Sequence, residues 1–459
     1  MTENGKIKYF LAGIGGIGMS ALGRMLIDAG SQVSGIDHNM KSSNLSLLEK
    51  NGIEIVSNEN DIVWQDIDEV IYSSAIKEES FLLKKAKEKN IPIIKRGDKL
   101  ASIFNKEDRR IAVTGTHGKT TTTALLSHIF ISSGLGTVMY LGGISNNYNE
   151  NYIKTGTDYY IAEVDESDRT IESFNPNKVL ITNIELEHVD KYKKLENIIN
   201  TFEIFLSNCK KDCIVFYNKH DECITKMINR LSLNSIAINK GISNSKNEIC
   251  YSWDADFLKG DVRLPNNNII EIKNKNLFGW HNIENAALAI SCAFNSGITC
   301  GKIQNAMKSF SGIKRRFEVL TDERLGIILI TDYAHHPTEV EKTIFVAREV
   351  YKNKKICVVF QPHRFSRFNY FFEDFLKALS NADVVVVSEI YSAGEEGDNQ
   401  SFPKKMVKRL QNEYGVQSIF TFFDELEDTC EKLKDISVIL FLGAGSIDHT
   451  ARKLAEKYE

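Results

Sequence analysis

The chain has 459 residues, of which 42% are hydrophobic and 26% are charged, and its formal net charge at pH 7 is −4. This length allows about two to four domains, each with its own core. The charge balance provides no overall basic field, so nucleic acid is not an expected partner. No apolar stretch reaches the ~18 residues of a membrane-spanning helix, and the N-terminus is unlike a signal peptide. We therefore expect a soluble, cytoplasmic protein without membrane insertion.

The N-terminal segment has the pattern of a βαβ unit. IKYFLA at 7–12 predicts a buried strand, a helix follows to Gly30, and QVSGID at 32–37 predicts the next strand. The glycine-rich turn from Gly13 to Gly18 and the acid that ends the second strand, Asp37, form a dinucleotide fingerprint. The candidate substrate-binding residues in it are Gly15, Gly16, Ile17, Gly18 and Asp37. Alone, this fingerprint would favour a NAD dehydrogenase. It establishes only that a pyrophosphate group can approach the backbone here.

A second strand–loop–helix unit begins at RRIAVT and carries the strongest local motif. A helix is predicted from about Thr120 to Ser133. The loop before it is a shortened P-loop, consisting of Gly115, Thr116, His117, Gly118, Lys119, Thr120 and Thr121. Its backbone N–H groups can surround phosphate oxygens, while Lys119 reaches the β/γ-phosphates and the Thr120 hydroxyl binds Mg²⁺. The motif predicts an ATP site, and the alternative is a chance glycine turn before a helix.

Polar clusters follow the next two predicted strands. The strand YYIA is followed by Glu163, Asp165, Glu166 and Ser167, which are well placed to hold Mg²⁺ beside a P-loop. The alternative is a solvated acidic turn. The strand VLITNI leads to Asn183, Glu185 and His188. His188 is a candidate metal ligand by the same argument, although a lone histidine is commonly structural.

The C-terminal part contains four strand-like runs with helical segments between them: IILITDYAH, KICVVFQPH, ADVVVVSEIY and VILFLGAGSID. Asp332, Tyr333 and His336 follow the first of these strands, where ligands of open α/β sheets collect. Pro337 and Thr338 also suit a helix start, so part of this motif can serve capping. Arg364 and Arg367 follow the second strand and could grip a carboxylate or phosphate, or could be surface arginines.

The simplest organisation is three successive α/β domains with breaks near 105 and 314. We expect domains at 1–104, 105–314 and 315–459. The first and third are predicted to be Rossmann-like, and the central one to be a P-loop ATPase domain with a mostly parallel sheet.

Taken in order, the motifs resemble those of the Mur ligases of peptidoglycan synthesis. The resemblance covers nearly the whole chain and rests on GIGGIGMS, TGTHGKTTTT, EVDESD, TNIE-x-EHVD, G-x-HN-x-x-N, GIKRRFE, DYAHHPTE, QPHRFSR and LGAGSI. It implies an ATP-dependent ligase that joins L-alanine to the carboxylate of UDP-N-acetylmuramate through an acyl phosphate. The alternatives are a recycling ligase that attaches a tripeptide to the same sugar nucleotide, and a non-catalytic nucleotide sensor.

The resemblance also implies roles for individual residues. The first glycine loop would hold the UDP-sugar pyrophosphate, and Asp165 to Ser167 the sugar substrate. Mg²⁺ would be bound by Thr120, Glu163 and His188. Lys119 would contact the phosphates, Asn282 and Asn285 would lie near the adenine, and Arg316, Asp332 and Tyr333 would lie on the nucleotide side of the third domain. The residues that would face the reaction centre or the amino acid are His335, His336, Arg364 and Arg367. The candidate catalytic residues are Lys119, His188, His336, Arg364 and Arg367. We expect a monomer or weak homodimer.

Three departures from the family pattern stand out. Arg169 to Glu172 intervene before Ser173, which is expected to alter the sugar-carboxylate end of the site. Glu187 stands where aspartate is common, and Phe365 where tyrosine is common. None of these changes removes a residue to which the resemblance assigns an essential role.

Overall fold

A computed structural model describes residues 6–458 apart from 40–42, 188–190, 244, 246, 255–258, 322–323 and 325. Three separate β-sheets follow one another along the chain, with helices between the strands. The predicted α/β class with mostly parallel sheets is confirmed. Among the helices of the described residues, none combines the length and apolar character needed to cross a bilayer.

The first sheet contains five parallel strands in the order β3-β2-β1-β4-β5. Its strands are β1 Lys8–Ala12, β2 Gln32–Ile36, β3 Glu54–Ile55, β4 Glu69–Tyr72 and β5 Ile93–Lys95. The accompanying helices are α1 Ile17–Asp28, α2 Ser43–Lys50, α3 Phe81–Glu88 and α4 Arg96–Phe104. The strand order reverses at β1, so the loops after β1 and β4 diverge and leave a crevice where ligands of such sheets bind.

The central sheet has ten strands in the order β15-β14-β13-β12-β11-β10-β6-β9-β7-β8. They are β6 Arg110–Thr114, β7 Thr137–Ser145, β8 Glu150–Lys154, β9 Tyr159–Glu163, β10 Lys178–Ile181, β11 Ile214–Asn218, β12 Ser235–Lys240, β13 Glu248–Trp253, β14 Gly260–Arg263 and β15 Ile269–Ile272. The helices are α5 Lys119–Ser132, α6 Leu195–Ser207, α7 Glu222–Leu231, α8 Trp280–Asn295 and α9 Cys300–Ser309. The pairs β7–β8, β13–β14 and β14–β15 are antiparallel, and the others are parallel.

The third sheet has six strands in the order β16-β17-β21-β18-β19-β20, and only the β16–β17 pair is antiparallel. They are β16 Glu318–Val319, β17 Ile328–Asp332, β18 Ile356–Phe360, β19 Val384–Val387, β20 Gln417–Phe420 and β21 Val438–Leu442. The helices are α10 Pro337–Val350, α11 Phe365–Tyr370, α12 Phe372–Leu379, α13 Ser401–Tyr414, α14 Leu426–Glu431 and α15 Ile447–Glu456.

The buried strands explain why the polar motifs lie where they do. Every residue of β6, β18, β19 and β21 is buried, because helices cover both faces of these parallel sheets. β18, β19 and β21 carry only apolar side chains, and the polar residues of β6, Arg110 and Thr114, stand at its two ends. The polar motifs collect at the carboxyl ends, where the parallel strands of one sheet end at a common edge.

Candidate active site between the three sheets

The P-loop is fixed by its neighbour in the central sheet. Gly115 and Gly118 have φ values of 124° and 84°, a region that side chains with a Cβ rarely adopt. The backbone N–H of His117 donates to Asn183 Oδ1 at 2.9 Å, and Asn183 Nδ2 donates back to the His117 carbonyl at 2.9 Å. Thr116 N–H donates to the Asn183 carbonyl at 2.9 Å. The loop is thus held against the segment that follows β10.

Lys119 lies folded against this loop. Its Nζ donates to the Gly115 carbonyl at 2.6 Å and the Thr116 carbonyl at 3.2 Å, and it pairs with Glu166 Oε2 at 2.9 Å. Burial alone would lower the pKa of Lys119, but Glu166 and Asp165 outweigh it and raise this pKa above its ordinary value. The ammonium is therefore charged and positioned at the mouth of the loop.

Thr120 and Glu163 form an oxygen pair suited to Mg²⁺. The Thr120 hydroxyl donates to Glu163 Oε1 at 3.0 Å, and the Gly142 N–H donates to Glu163 Oε2 at 2.7 Å. Two adjacent ligands of an octahedral Mg²⁺ at 2.0–2.1 Å lie about 3 Å apart, so this pair fits the ion. Burial raises the pKa of Glu163, and the Gly142 N–H and Lys119 oppose that rise. The third predicted ligand, His188, lies outside the described residues.

A cavity of about 260 Å³ opens beside the P-loop between the central and third sheets. The predicted nucleotide residues on its wall are His117, Gly118, Thr121, Asn282, Asn285, Arg316 and Asp332. Asn285 packs against Gly118, where a Cβ would lie 2.6 Å from the Asn285 Oδ1. Sequence reasoning had not assigned Glu284, Glu339 or Lys342 to this cavity, although all three line it.

Of the two predicted residues that follow β17, Asp332 lines the cavity, whereas Tyr333 contacts Arg316 in the cavity wall. Asp332 accepts from the backbone N–H of Phe317 at 2.6 Å and of Ala334 at 2.8 Å, and burial raises its pKa to about 6. The Tyr333 ring lies 5.2 Å from the Arg316 guanidinium carbon. Asp332 therefore fixes the backbone around Arg316, and Tyr333 supports the arginine by a cation–π contact.

His336 is the N-cap of α10. Its side chain accepts from the Thr338 N–H at 3.4 Å, and Glu339 reaches back to the N-cap backbone in a capping box with Pro337 at the first helical position. The capping role considered for this motif is thus present. Glu339 also pairs with His117 Nδ1 at 3.2 Å and Arg316 at 3.5 Å, which joins the third sheet to the P-loop.

The two predicted arginines point to different partners. Arg367 donates from Nε to Glu187 Oε1 at 2.8 Å, and this pair links α11 to the segment after β10. Arg364 precedes α11 with φ of 68° and lies 3.8 Å from Glu395. Arg367 therefore faces the central sheet, whereas Arg364 stays within the third-sheet region.

Three buried residues could together hold a metal ion: His117, Glu187 and His336. Each offers one ligand atom, and these three atoms lie within 4.8 Å of one another. Two features weigh against a metal site here. Burial acts to lower the pKa of His117, but Glu339 and Glu185 raise it to about 9, so the ring carries a proton. Glu187 is already paired with Arg367, and His336 uses Nδ1 as a cap. We assign the group as a polar contact between the two sheets.

Asp37 is hydrogen-bonded to the first glycine loop. The Gly15 N–H donates to Asp37 Oδ2 at 2.9 Å, and α1 begins at Ile17 with Gly16 as its N-cap. Gly18 faces a residue that sequence reasoning missed, since a Cβ there would lie 3.0 Å from Arg96 Nη1. Arg96 stands directly after β5, so the strand-end rule that selected the other candidates could have found it.

Arg96 connects the first loop to the central sheet. Its Nη1 donates to the Tyr140 hydroxyl at 2.9 Å, and that hydroxyl donates to the Gly18 carbonyl at 2.8 Å. Asp165 and Asp168 act electrostatically on Arg96. This half-buried cation therefore lies beside the N-terminus of α1, where an anionic ligand would approach.

The acidic segment after β9 divides between two sites. Asp165 accepts from both the N–H and the hydroxyl of Ser167 at 3.0 Å, whereas Glu166 pairs with Lys119. Ser167 lines a cleft of about 470 Å³ that reaches the loop after β4. The predicted substrate residues are thus brought to the junction of the first and central sheets, with Glu166 turned to the P-loop.

The segment that departs from the family pattern packs at the same junction. Residues Thr170–Ser173 form a short 3-10 helix after Arg169, whose φ is 63°. Thr170 lies directly against Gly97 of α4, so closely that no Cβ fits at that glycine. Arg169 lines the 470 Å³ cleft. The departure therefore contributes Arg169 to the cleft wall.

A P-loop with a lysine and an Mg²⁺-type oxygen pair, flanked by two further α/β layers, defines a nucleotide-dependent enzyme class. Comparison with family models extends this result along the chain. Residues 9–107 match the Mur ligase family catalytic domain, 113–293 the Mur ligase middle domain, and 315–445 the Mur ligase glutamate ligase domain.

Full-length relatives agree with these matches. A UDP-N-acetylmuramate–L-alanine ligase of Carboxydothermus hydrogenoformans is 35% identical, over 98% of this chain and 96% of the relative. The crystal structure of a UDP-N-acetylmuramate–alanine ligase from Thermotoga maritima matches with a TM-score of 0.82 and 30% identity, over 98% and 99% of the two chains. A murein peptide ligase from Psychrobacter arcticus shares the fold, with a TM-score of 0.76, 19% identity and 98% coverage of each chain. The chain belongs to the Mur ligase family.

Proposed function

We propose that the protein is an ATP-dependent ligase that joins L-alanine to the carboxylate of UDP-N-acetylmuramate in peptidoglycan precursor synthesis. The observation that carries this proposal is the position of Lys119. It contacts the P-loop beside the nucleotide cavity and pairs with Glu166, the residue before Ser167 in the wall of the cleft to the first sheet. The names of the full-length relatives support these substrates.

The reaction needs activation because a carboxylate and an ammonium do not condense in water. A carboxylate oxygen of the sugar nucleotide would attack the γ-phosphorus of ATP, while the bond to ADP breaks and an acyl phosphate forms. The neutral amine of L-alanine would then attack the acyl carbon, and phosphate would leave as the amide forms. Acyl phosphates hydrolyse readily, so the site must exclude water.

Lys119 would supply the main cation for the first step. Its ammonium can exchange the Gly115 and Thr116 carbonyls and Glu166 for phosphate oxygens without leaving the loop. The N-terminus of α5 adds a favourable dipole at the same point. Both reduce the repulsion between carboxylate and triphosphate and stabilise the transferring charge.

We further propose that Thr120 and Glu163 bind Mg²⁺, with His188 as a third ligand. The ion, when bound, would neutralise charge on the phosphate chain. The oxygen pair at 3.0 Å supports the assignment of Thr120 and Glu163.

The remaining assignments are proposals of the same kind. His336, Arg364 and Arg367 would serve the amino-acid side, and the first glycine loop with Arg96 would hold the pyrophosphate. We propose that the domain boundaries lie near residues 105 and 314. We also propose that the protein is cytoplasmic and is a monomer or weak homodimer. Two connections between sheets support these domain limits: the one from α4 to β6 and the one from α9 to β16.

The test is phosphate release by the full chain with ATP and Mg²⁺. We expect release only when UDP-N-acetylmuramate and L-alanine are both present. A tripeptide acceptor that works better than L-alanine would favour the recycling activity. ATP hydrolysis that is independent of both substrates, or oxidation of NADH, would refute the proposal.

A further inference from the structure

Helix α10 forms one long wall of the nucleotide cavity. The residues it contributes are Glu339, Lys342, Thr343 and Val346. Their spacing of three, four and seven positions places them on one face of the helix. The third-sheet region therefore lines the cavity with a continuous stripe of side chains.

The two ends of this stripe lie about 10.5 Å apart along α10 and contact different parts of the cavity wall. Glu339 is at the P-loop, 3.2 Å from His117 Nδ1. Val346 packs at the start of α8, where a Cβ on Gly279 would lie 2.6 Å from Val346 Cγ2. Because a helix rises about 1.5 Å per residue, Lys342 lies roughly 4.5 Å along α10 from Glu339, between the two ends.

Lys342 differs in its pairing from the other cations on this wall. His117 and Arg316 are both paired with Glu339. Across residues 6–458, less the gaps given above, Lys342 has no ion pair or hydrogen bond through its ammonium. It is nevertheless close enough to act electrostatically on Glu185, His281 and Glu284. A half-buried ammonium in the wall of a cavity that adjoins the P-loop is suited to a ligand's negative charge.

We propose that Lys342 binds the ribose-proximal end of the nucleotide's phosphate chain. The P-loop holds the distal phosphates at one end of the stripe, and the start of α8 lies at the other. The phosphate next to the ribose falls between them, within reach of a flexible four-carbon side chain. This inference rests on the proposed function for the identity of the nucleotide. It makes Lys342 a phosphate-binding residue contributed from outside the central sheet.

Steady-state phosphate release tests the proposal with three variants of the full chain. Lys342→Met keeps the length of the side chain and removes its charge, Lys342→Arg keeps the charge, and Lys408→Met removes an exposed lysine of α13 as the matched control. We expect Lys342→Met to raise KM for ATP about tenfold, as for one lost charge-assisted contact. The values of kcat and KM for the other two substrates should stay within about twofold. Lys342→Arg should recover most of the affinity.

Direct titration separates this inference from the proposed function. With ADP and with AMP as probes, Lys342→Met should bind about tenfold more weakly than the parent chain. Adenosine, which has no phosphate, should bind both proteins equally. Equal ADP affinities, or an adenosine affinity that falls in parallel, would overturn the assignment even in an active ligase. If the parent chain binds ADP but releases no phosphate with its substrates, the proposed function fails and the titration still decides the role of Lys342.

Discussion

Two glycine-rich loops in this chain share a local design and differ in their surroundings. One lies between β1 and α1, the other between β6 and α5, and each places a helix N-terminus at the carboxyl end of a parallel strand. At the second loop, Lys119, Thr120 and Glu163 converge on one point. At the first, Asp37 accepts a hydrogen bond from the turn, and Arg96, the first residue of α4, lies against Gly18.

This difference between the two loops distinguishes a loop that can only bind a phosphate from one that can also support phosphoryl transfer. Backbone N–H groups and a helix dipole are enough to hold a phosphate, and both loops offer them. Transfer of a phosphoryl group needs a mobile cation and oxygen ligands for a metal in addition. Only the second loop has them among the described residues, so the first is suited to holding substrate and the second to reaction.

The largest effect is expected from Lys119→Ala. Removing the ammonium should lower phosphate release by about 10³-fold, because charge on the transferring phosphoryl group is no longer stabilised. Binding of UDP-N-acetylmuramate, measured by calorimetry, should stay within about twofold of the parent value since the first loop is intact. Lys408→Ala serves as a control for the loss of a lysine. A comparable loss of sugar-nucleotide binding would show that the two loops do not divide the work as described.

A smaller effect is expected from Glu163→Gln. The amide oxygen can still accept from the Gly142 N–H, but the negative charge beside Thr120 is lost. We expect activity to fall about 10²-fold and the Mg²⁺ concentration for half-maximal rate to rise. Glu396→Gln, at an exposed position, is the control. An unchanged Mg²⁺ requirement would remove Glu163 from the metal site.

Arg96→Met tests the first loop itself. We expect KM for UDP-N-acetylmuramate to rise about tenfold while KM for ATP is unchanged, because Arg96 adjoins Gly18 and not the P-loop. The matched control is Arg263→Met on the exposed face of β14. A parallel rise in KM for ATP would mean that Arg96 acts through the contact between the sheets and not on the sugar nucleotide.

The sequence was most informative where one local signal decided the structure. The P-loop could be predicted because strand, glycine turn, lysine and helix follow one another without interruption. Strands β18, β19 and β21 were predicted because uninterrupted apolar runs indicate burial on both faces. The antiparallel strands β13 to β15 were not identified, because such short, half-exposed segments have little periodic signal.

Partners distant in sequence could not be predicted. Arg96 and Tyr140 meet across two sheets, and Glu339 reaches His117 from a different one. Hydrophobic periodicity reports that a residue is buried, but not which residue it faces.

The smallest expected effect concerns the contact between the P-loop and the third sheet. Burial acts to lower the pKa of His117, but Glu339 and Glu185 raise it from 6.5 to about 9. Below pH 6.5 the ring is protonated whether folded or unfolded, so its ion pairs stabilise the fold fully. Between pH 6.5 and about 9 only the folded state keeps the proton, and the stabilisation is progressively lost as the pH rises.

His117→Gln should therefore lower the melting temperature by about 2–4 °C at pH 6, and this difference from the parent chain should shrink as the pH approaches 9. Calorimetric scans at fixed ionic strength measure it, with His449→Gln at an exposed position as the control. A difference that stays constant from pH 6 to pH 9 would show that His117 stabilises the junction by packing and not by charge. The P-loop would then be joined to the third sheet by shape, and its histidine would have no electrostatic part in holding Glu339.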